Sequence, residues 1–127
     1  MKGEAGSDNK SVGERGEGIA VAYLRGQRFA ILERNFRCKG GEVDIVARDG
    51  GTIVFVEVKS RRSESYGPPQ LSVTPFKQRQ ISKAALTWLA KNHRHDVNAR
   101  FDVIAILLLD HQVPVIDHIR NAFDLAY

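Results

Sequence analysis

The chain has 127 residues, of which 43% are apolar, enough for one domain with a single core and too little for a second. No apolar run approaches the roughly 20 residues needed to cross a bilayer, the polar start MKGEAGSDNKS does not have the form of an export signal, and Cys38 is the only cysteine, which excludes an internal disulfide and a cysteine-rich zinc cage. These features point to the cytoplasm. The net charge of +4 is unevenly spread: residues 25–100 hold fifteen bases and seven acids, while both flanking stretches are acidic. A basic middle suits a polyanionic partner, although an ordinary solvated basic surface has the same composition.

Residues 1–10 read as a flexible tail and residues 11–127 as one domain. Ser11 with Glu14 three residues later forms a capping-box pattern, opening a helix that should end near Gly26 as a left-handed stop. Glu17 falls within the apolar stripe of that helix, at three-, four- and seven-residue spacings from Gly13, Ala20, Val21 and Leu24. Phe29–Arg37 reads as a first strand, followed by a turn over Cys38, Lys39, Gly40 and Gly41. Glu42–Arg48 and Thr52–Ser60 read as two more strands joined through Asp49, Gly50 and Gly51. Residues 61–74 suggest a long loop of the kind that covers a site, within which Tyr66 is positioned to anchor the loop or stack on a base. Thr74 then caps a second helix with Pro75 at its first position; Ile81, Ala84, Ala85, Trp88 and Leu89 mark the buried face, and Lys77, Arg79 and Lys83 read as a solubilising one. Arg100–Leu109 reads as a buried strand, Val113–Ile119 as a weaker strand placed at an edge by Pro114, and Asn121–Tyr127 as a short terminal helix.

The chemistry concentrates in GEVDIV at 41–46 and FVEVKSR at 55–61. If Gly50 and Gly51 are the two central residues of a tight turn, paired residue numbers sum to 101 and Asp44 faces Glu57, with Lys59 on the same face. Two carboxylates so opposed repel, and a hard divalent cation offsets that repulsion, since magnesium is commonly held by one or two carboxylates plus waters and substrate phosphates. The alternative is a plain solvent-facing polar side with Lys59 as a salt-bridge partner. Glu42 shares the Asp44 face, either as a further ligand or as a strand-edge acid. Asp102 reads as a structural acid paired with a base. His93, His95, His111 and His118 form no ligand set, and no base at a fixed spacing supports Cys38 as a nucleophile.

Asp44 followed by Glu57-Val58-Lys59 resembles the catalytic pattern of the PD-(D/E)XK nucleases, and Glu17 resembles the helix-borne acid of the archaeal Holliday-junction resolvases. GERGEGIAVAYLRGQRF, RNFRCKGGEVDIVARD, TIVFVEVKSR and RFDVIAI, in that order, resemble the bacterial YraN-type proteins, an endonuclease-like family, over about residues 11–123. One departure from the superfamily pattern is Val43, which stands where its name has proline. The resemblance implies a restriction-endonuclease-like α/β fold, a mixed sheet of four or five strands flanked by helices. It further implies that Asp44, Glu57 and the backbone carbonyl of Val58 bind Mg2+ or Mn2+, with Glu17 completing the shell directly or through water. Lys59 would orient the attacking water and offset charge at the reacting phosphate. Arg61 and Arg62 on one side, and Arg37 and Lys39 on the other, are candidate contacts to a nucleic-acid backbone, each with a solvated side chain as its alternative. The expected function is therefore a metal-dependent nuclease acting on nucleic acid, DNA in the first instance and branched or structured DNA in particular. The rival expectations are a nucleic-acid-binding module without turnover and a docking protein of a DNA-processing complex. A homodimer is expected if two strands are cut symmetrically.

Overall fold

The computed structural model describes residues 4–62, 73–94 and 96–126, with side chains from Ser11 onward. It is an α/β structure in which α1 (Glu4–Gly26) is followed by β1 (Ala30–Cys38), β2 (Gly41–Asp49), β3 (Thr52–Arg61), α2 (Pro75–Lys91), β4 (Asn98–Leu107) and β5 (Val115–Phe123). The five strands form one sheet in the order of the sequence. All neighbours are antiparallel except β3 and β4, whose parallel pairing is made possible by the α2 crossover. This is the mixed sheet with flanking helices expected of a restriction-endonuclease-like fold.

A helix covers each face. Ala20, Val21 and Leu24 of α1 pack with Ile45, Ala47, Val54, Val56, Ile104 and Ile106. Ile81, Ala84, Ala85 and Trp88 of α2 pack with Val46, Ile53, Phe55, Phe101 and Val103 on the other side. The alternation within β3 between these two groups is the period-two pattern of a strand buried on both faces. Close approach of each helix depends on a missing side chain. A Cβ at Gly16 would overlap the Ser60 hydroxyl, and one at Gly41 would lie 2.8 Å from backbone atoms of α2. α1 and α2 are thereby seated closely on opposite faces at the open end of the β2–β3 hairpin.

The second helix begins as its sequence predicts: Thr74 is extended, its hydroxyl accepts from the Lys77 backbone N–H, and Pro75 occupies the first turn. Three expectations are corrected. The first helix starts at Glu4 rather than at Ser11, because Ser11 and Glu14 are tolerated within a helix that, once nucleated, extends at little cost. Its left-handed residue is Arg28, at φ 69°, and not Gly26. Residues 121–123 continue β5 instead of starting a helix, since β4 offers a ladder to pair with and Phe123 stacks on Phe101 at 4.9 Å between ring centres. The strand accommodates this with a bulge around Asn121, at φ 52°. The expected covering loop lies mostly at 63–72, and that stretch, with Tyr66, is outside the described residues, as is His95.

Candidate metal and phosphate site

The hairpin has the register that the Gly50-Gly51 turn demands. Asp49 pairs with Thr52, and the series runs without a slip to Ile45 and Val56, with Gly50 at φ 59°. The ladder stops there. Asp44 and Glu57, next in the series, meet through their side chains instead, because one Asp44 oxygen turns to accept the Val58 backbone N–H at 2.8 Å. On the other flank of β2, Asn35 of β1 takes the left-handed conformation at φ 53°, which asparagine tolerates better than most residues. Asn35 thus turns its own side chain toward Glu17, while Asp44 acts on both Glu57 and Glu17 of the helix above.

Three acids from three elements therefore converge. Glu17 of α1 lies near enough to Asp44 and Asn35 to feel both, and Glu57 feels Asp44 from the other side. Glu57 is only 3% exposed. Burial pushes its carboxyl up to about 9, aided by the hydrogen bond and the charge of Asp44, against the pull of Lys77 and Lys59. Glu17 is raised as well, by burial first and by the Asp44 charge second, while Asn35 and Arg34 act in the opposite direction. Near neutral pH Glu57 thus keeps its proton, the response of a buried acid set against a second acid.

Cations line the rim. Lys59 places its ammonium 3.8 Å from Glu57 Oε2 and is about one-third exposed, so it is open to solvent on one side. Lys77 of α2 lies 2.7 Å from Glu42 Oε1 and 3.6 Å from Glu57 Oε2. Burial works against the Lys77 charge, but its hydrogen bond to Glu42 and the charges of Glu57, Glu42 and Asp44 outweigh this and raise its pKa. Glu42 is held ionised below the usual carboxylate range by its hydrogen bond to Lys77, then by the Lys77 charge and, more weakly, by Arg37.

The fold thus brings together Asp44, Glu57, Val58, Lys59 and Glu17, all named by the sequence. Arg37, 3.8 Å from Glu42, and Lys39 in the β1–β2 turn lie on one flank, while Arg61 ends β3 and Arg62 follows it. Two members were not anticipated. Lys77 read as a solubilising residue, and Asn35 as an ordinary strand position. A signal for Lys77 existed: a lysine in the first turn of a helix with no acid in that turn opposes the helix dipole, and so implies acids supplied from elsewhere. For Asn35 the signal was a strand-averse residue within a strand.

Among the described residues, no three Asp, Glu, His or Cys side chains close around one point as a complete metal cage. Asp44 is the carboxylate common to both neighbours, Glu17 on one side and Glu57 on the other. Such a set of hard oxygen donors, short of charge compensation by one proton, fits magnesium or manganese, which bind through one or two carboxylates and leave positions for water and phosphate.

The sequence that builds this centre matches the model of the uncharacterised protein family UPF0102 over residues 16–106, a span that includes every residue of the cluster. The chain belongs to the UPF0102 family. Its relatives include UPF0102 proteins of Geotalea uraniireducens, 71% identical over the whole of both chains, and of Geobacter sulfurreducens, 66% identical over 98% of each. One from Rhodococcus opacus is 44% identical over 91% of this chain and 98% of its own length.

Proposed function

We propose that the protein is a divalent-metal-dependent nuclease that hydrolyses phosphodiester bonds in nucleic acid, DNA in the first instance. The observation that carries this reading is the convergence of Glu17, Asp44 and Glu57 with Lys59 at their edge, in a chain whose middle is basic. Structural acids are found paired to bases, whereas a buried acid set against another acid calls for a cation.

Asp44, Glu57 and the Val58 carbonyl would hold Mg2+ or Mn2+, with Glu17 as a direct or water-linked ligand. When bound, the ion supplies Lewis acidity and charge neutralisation at the scissile phosphate. Lys59, partly solvated and beside Glu57, donates hydrogen bonds that orient the attacking water and stabilise the negative charge growing on the phosphate oxygens. Lys77 fixes Glu42 and faces Glu57, so it holds the α2 side of the centre in place. Arg61 and Arg62 contact the nucleic-acid backbone on one side of the centre, Arg37 and Lys39 on the other.

The test is incubation of the purified protein with single-stranded, duplex and branched DNA and RNA in magnesium or manganese. Cleavage should fall by about 100-fold or more in Lys59→Ala, with metal and nucleic-acid binding retained, because the ammonium acts mainly in the transition state. Asp44→Asn with Glu57→Gln should lose both cleavage and metal binding. A folded Lys59→Ala protein cutting at the wild-type rate would remove this mechanism. A wild type that binds nucleic acid but cuts none of these substrates would replace it with the reading of a binding module.

A further inference from the structure

Beyond Ser60, on the side of β3 away from Asp44, the α1 face of the sheet carries a second feature. A cleft of about 610 Å³ opens between the start of α1, the end of β3 and the loop joining β4 to β5. Val12 and Leu108 form its apolar wall, Arg15 and Arg62 stand over it, and Asp110 and His111 close its loop side. Val113, 85% exposed, adds an apolar lip. The volume is within the range of small-ligand sites. Among the described residues, neither Arg15 nor Arg62 has an ion-pair partner.

The cleft and the carboxyl centre share one edge. Gly16 sits on Ser60, Arg15 precedes it and Glu17 follows it, so adjacent residues of α1 serve the two features. The Leu108 N–H donates to the Arg61 carbonyl at 2.8 Å, which ties the floor of the cleft to the strand that bears Glu57 and Lys59. Arg62 is five residues beyond Glu57, roughly 16 Å at the rise of a strand, and neighbouring strands are about 4.8 Å apart, so the centre and the cleft lie roughly 15–20 Å from each other, a distance that about three nucleotides of an extended strand can span.

Apolar walls with guanidinium groups above them suit a nucleobase and its phosphate. A base in a continuous duplex cannot enter such a cleft, because both its faces are stacked and its edge is paired. We propose that the cleft receives an unpaired nucleotide of the strand whose phosphate lies at the carboxyl centre, so that the protein selects nucleic acid with a single-stranded or frayed stretch over continuous duplex. The proposal rests on the nuclease reading for the placement of that phosphate, and on the cleft for the selectivity.

The experiment measures fluorescence anisotropy of a short labelled oligothymidylate and of a blunt duplex of equal length, in EDTA at fixed salt, so that no cleavage is needed. Four proteins are compared: wild type, Arg15→Glu, Val113→Glu and Arg25→Glu. The last carries the same charge reversal at the exposed far end of α1, and melting curves verify folding of all four. The wild type should bind the single strand at least about tenfold more tightly than the duplex, and Arg15→Glu and Val113→Glu should each lose about that factor while Arg25→Glu does not. Equal or tighter duplex binding, or equal behaviour of the three variants, overturns the proposal. So does full displacement of the oligonucleotide by an equal concentration of thymidine monophosphate, which would make the cleft a free-nucleotide site. Duplex cleavage unaffected by Arg15→Glu, without single-strand preference, would remove the cleft and leave the nuclease. Cleft-dependent single-strand binding without cleavage in magnesium or manganese would keep the cleft and remove the nuclease.

Discussion

Glu57 on β3 and Asp102 on β4 are buried acids on adjacent parallel strands, and their surroundings push them in opposite directions. Asp102 is fully buried and accepts four hydrogen bonds. Arg100 Nε and the Asn121 N–H reach one oxygen at 3.0 Å each, and His118 Nε2 at 2.7 Å and Arg100 Nη2 at 3.3 Å reach the other. Burial raises its pKa, but His118, Arg100 and Asn121 together outweigh that and lower it. The network continues outward. Tyr23 of α1 meets His118 Nδ1 at 3.1 Å, and Arg100 bridges to Asp49 at the hairpin turn at 3.0 Å. Glu57, by contrast, has two ammonium groups no closer than 3.6 Å and a second acid beside it. A buried acid surrounded by donors is a structural clasp, here joining α1, β4, β5 and the hairpin. One left facing another acid has no such satisfaction, and in the reading proposed above it is where a cation would sit.

The sharpest way to break this comparison is to remove each acid. Asp102→Ala leaves Arg100 and His118 without their buried partner and should cost about 3–5 kcal/mol in urea unfolding. A loss below about 1 kcal/mol would mean that the clasp is not structural. The second expected effect concerns the proton at the carboxyl centre. Because Glu57 titrates near 9, a divalent ion must displace a proton to bind at neutral pH. Apparent metal affinity should then rise by up to about tenfold per unit between roughly pH 7 and 9, with about one proton released on binding, as calorimetry in buffers of different ionisation enthalpy would report. A pH-independent affinity would place the metal elsewhere.

A smaller effect follows from linkage. A carboxyl raised from 4.5 to about 9 on folding binds its proton more tightly in the folded state. Its contribution therefore lowers stability as pH rises through that window, the opposite of Asp102, whose lowered pKa contributes stability that is lost only as pH falls into the acid range. In EDTA near pH 8, Glu57→Gln should stabilise the protein by about 1–2 kcal/mol and flatten the alkaline decline of its melting temperature. Destabilisation by that substitution would place Glu57 with Asp102 as a satisfied acid. The smallest effect expected is that of Arg62→Ala, which should weaken single-strand affinity a few-fold and reduce its salt dependence by about one phosphate contact. An unchanged salt slope would move the backbone contact away from the cleft.

The residues that the sequence made legible are those whose placement depends on short-range pattern. Thr74-Pro75 started α2, Gly50-Gly51 set the register of β2 against β3, and the alternation of valine, isoleucine and phenylalanine in β3 marked a strand buried on both faces. From these, Asp44, Glu57 and Lys59 could be brought to one place before any coordinates, and Glu17 was marked by being an acid in an apolar stripe. Asp102 read as an acid paired with a base, but the sequence did not name the base: Arg100 lies two residues before it, and His118 comes from a strand 16 residues on with no local mark.

The sequence by itself determined the order of the elements, the hairpin register and the identity of the acidic cluster, because helix and strand periodicity and turn chemistry act over a few residues. Only the tertiary structure decided that the β2–β3 ladder would end at Asp44, that Asn35 would turn toward Glu17 while one carboxylate faces both Glu17 and Glu57, and that Lys77 would turn inward. The extension of β5 to Phe123 and the cleft between Arg15 and Arg62 were decided in the same way. Each of these depends on which distant segment arrives as a neighbour, and that is set by packing α1 and α2 onto opposite faces of a closed set of strand pairings rather than by the preferences of any one stretch of chain.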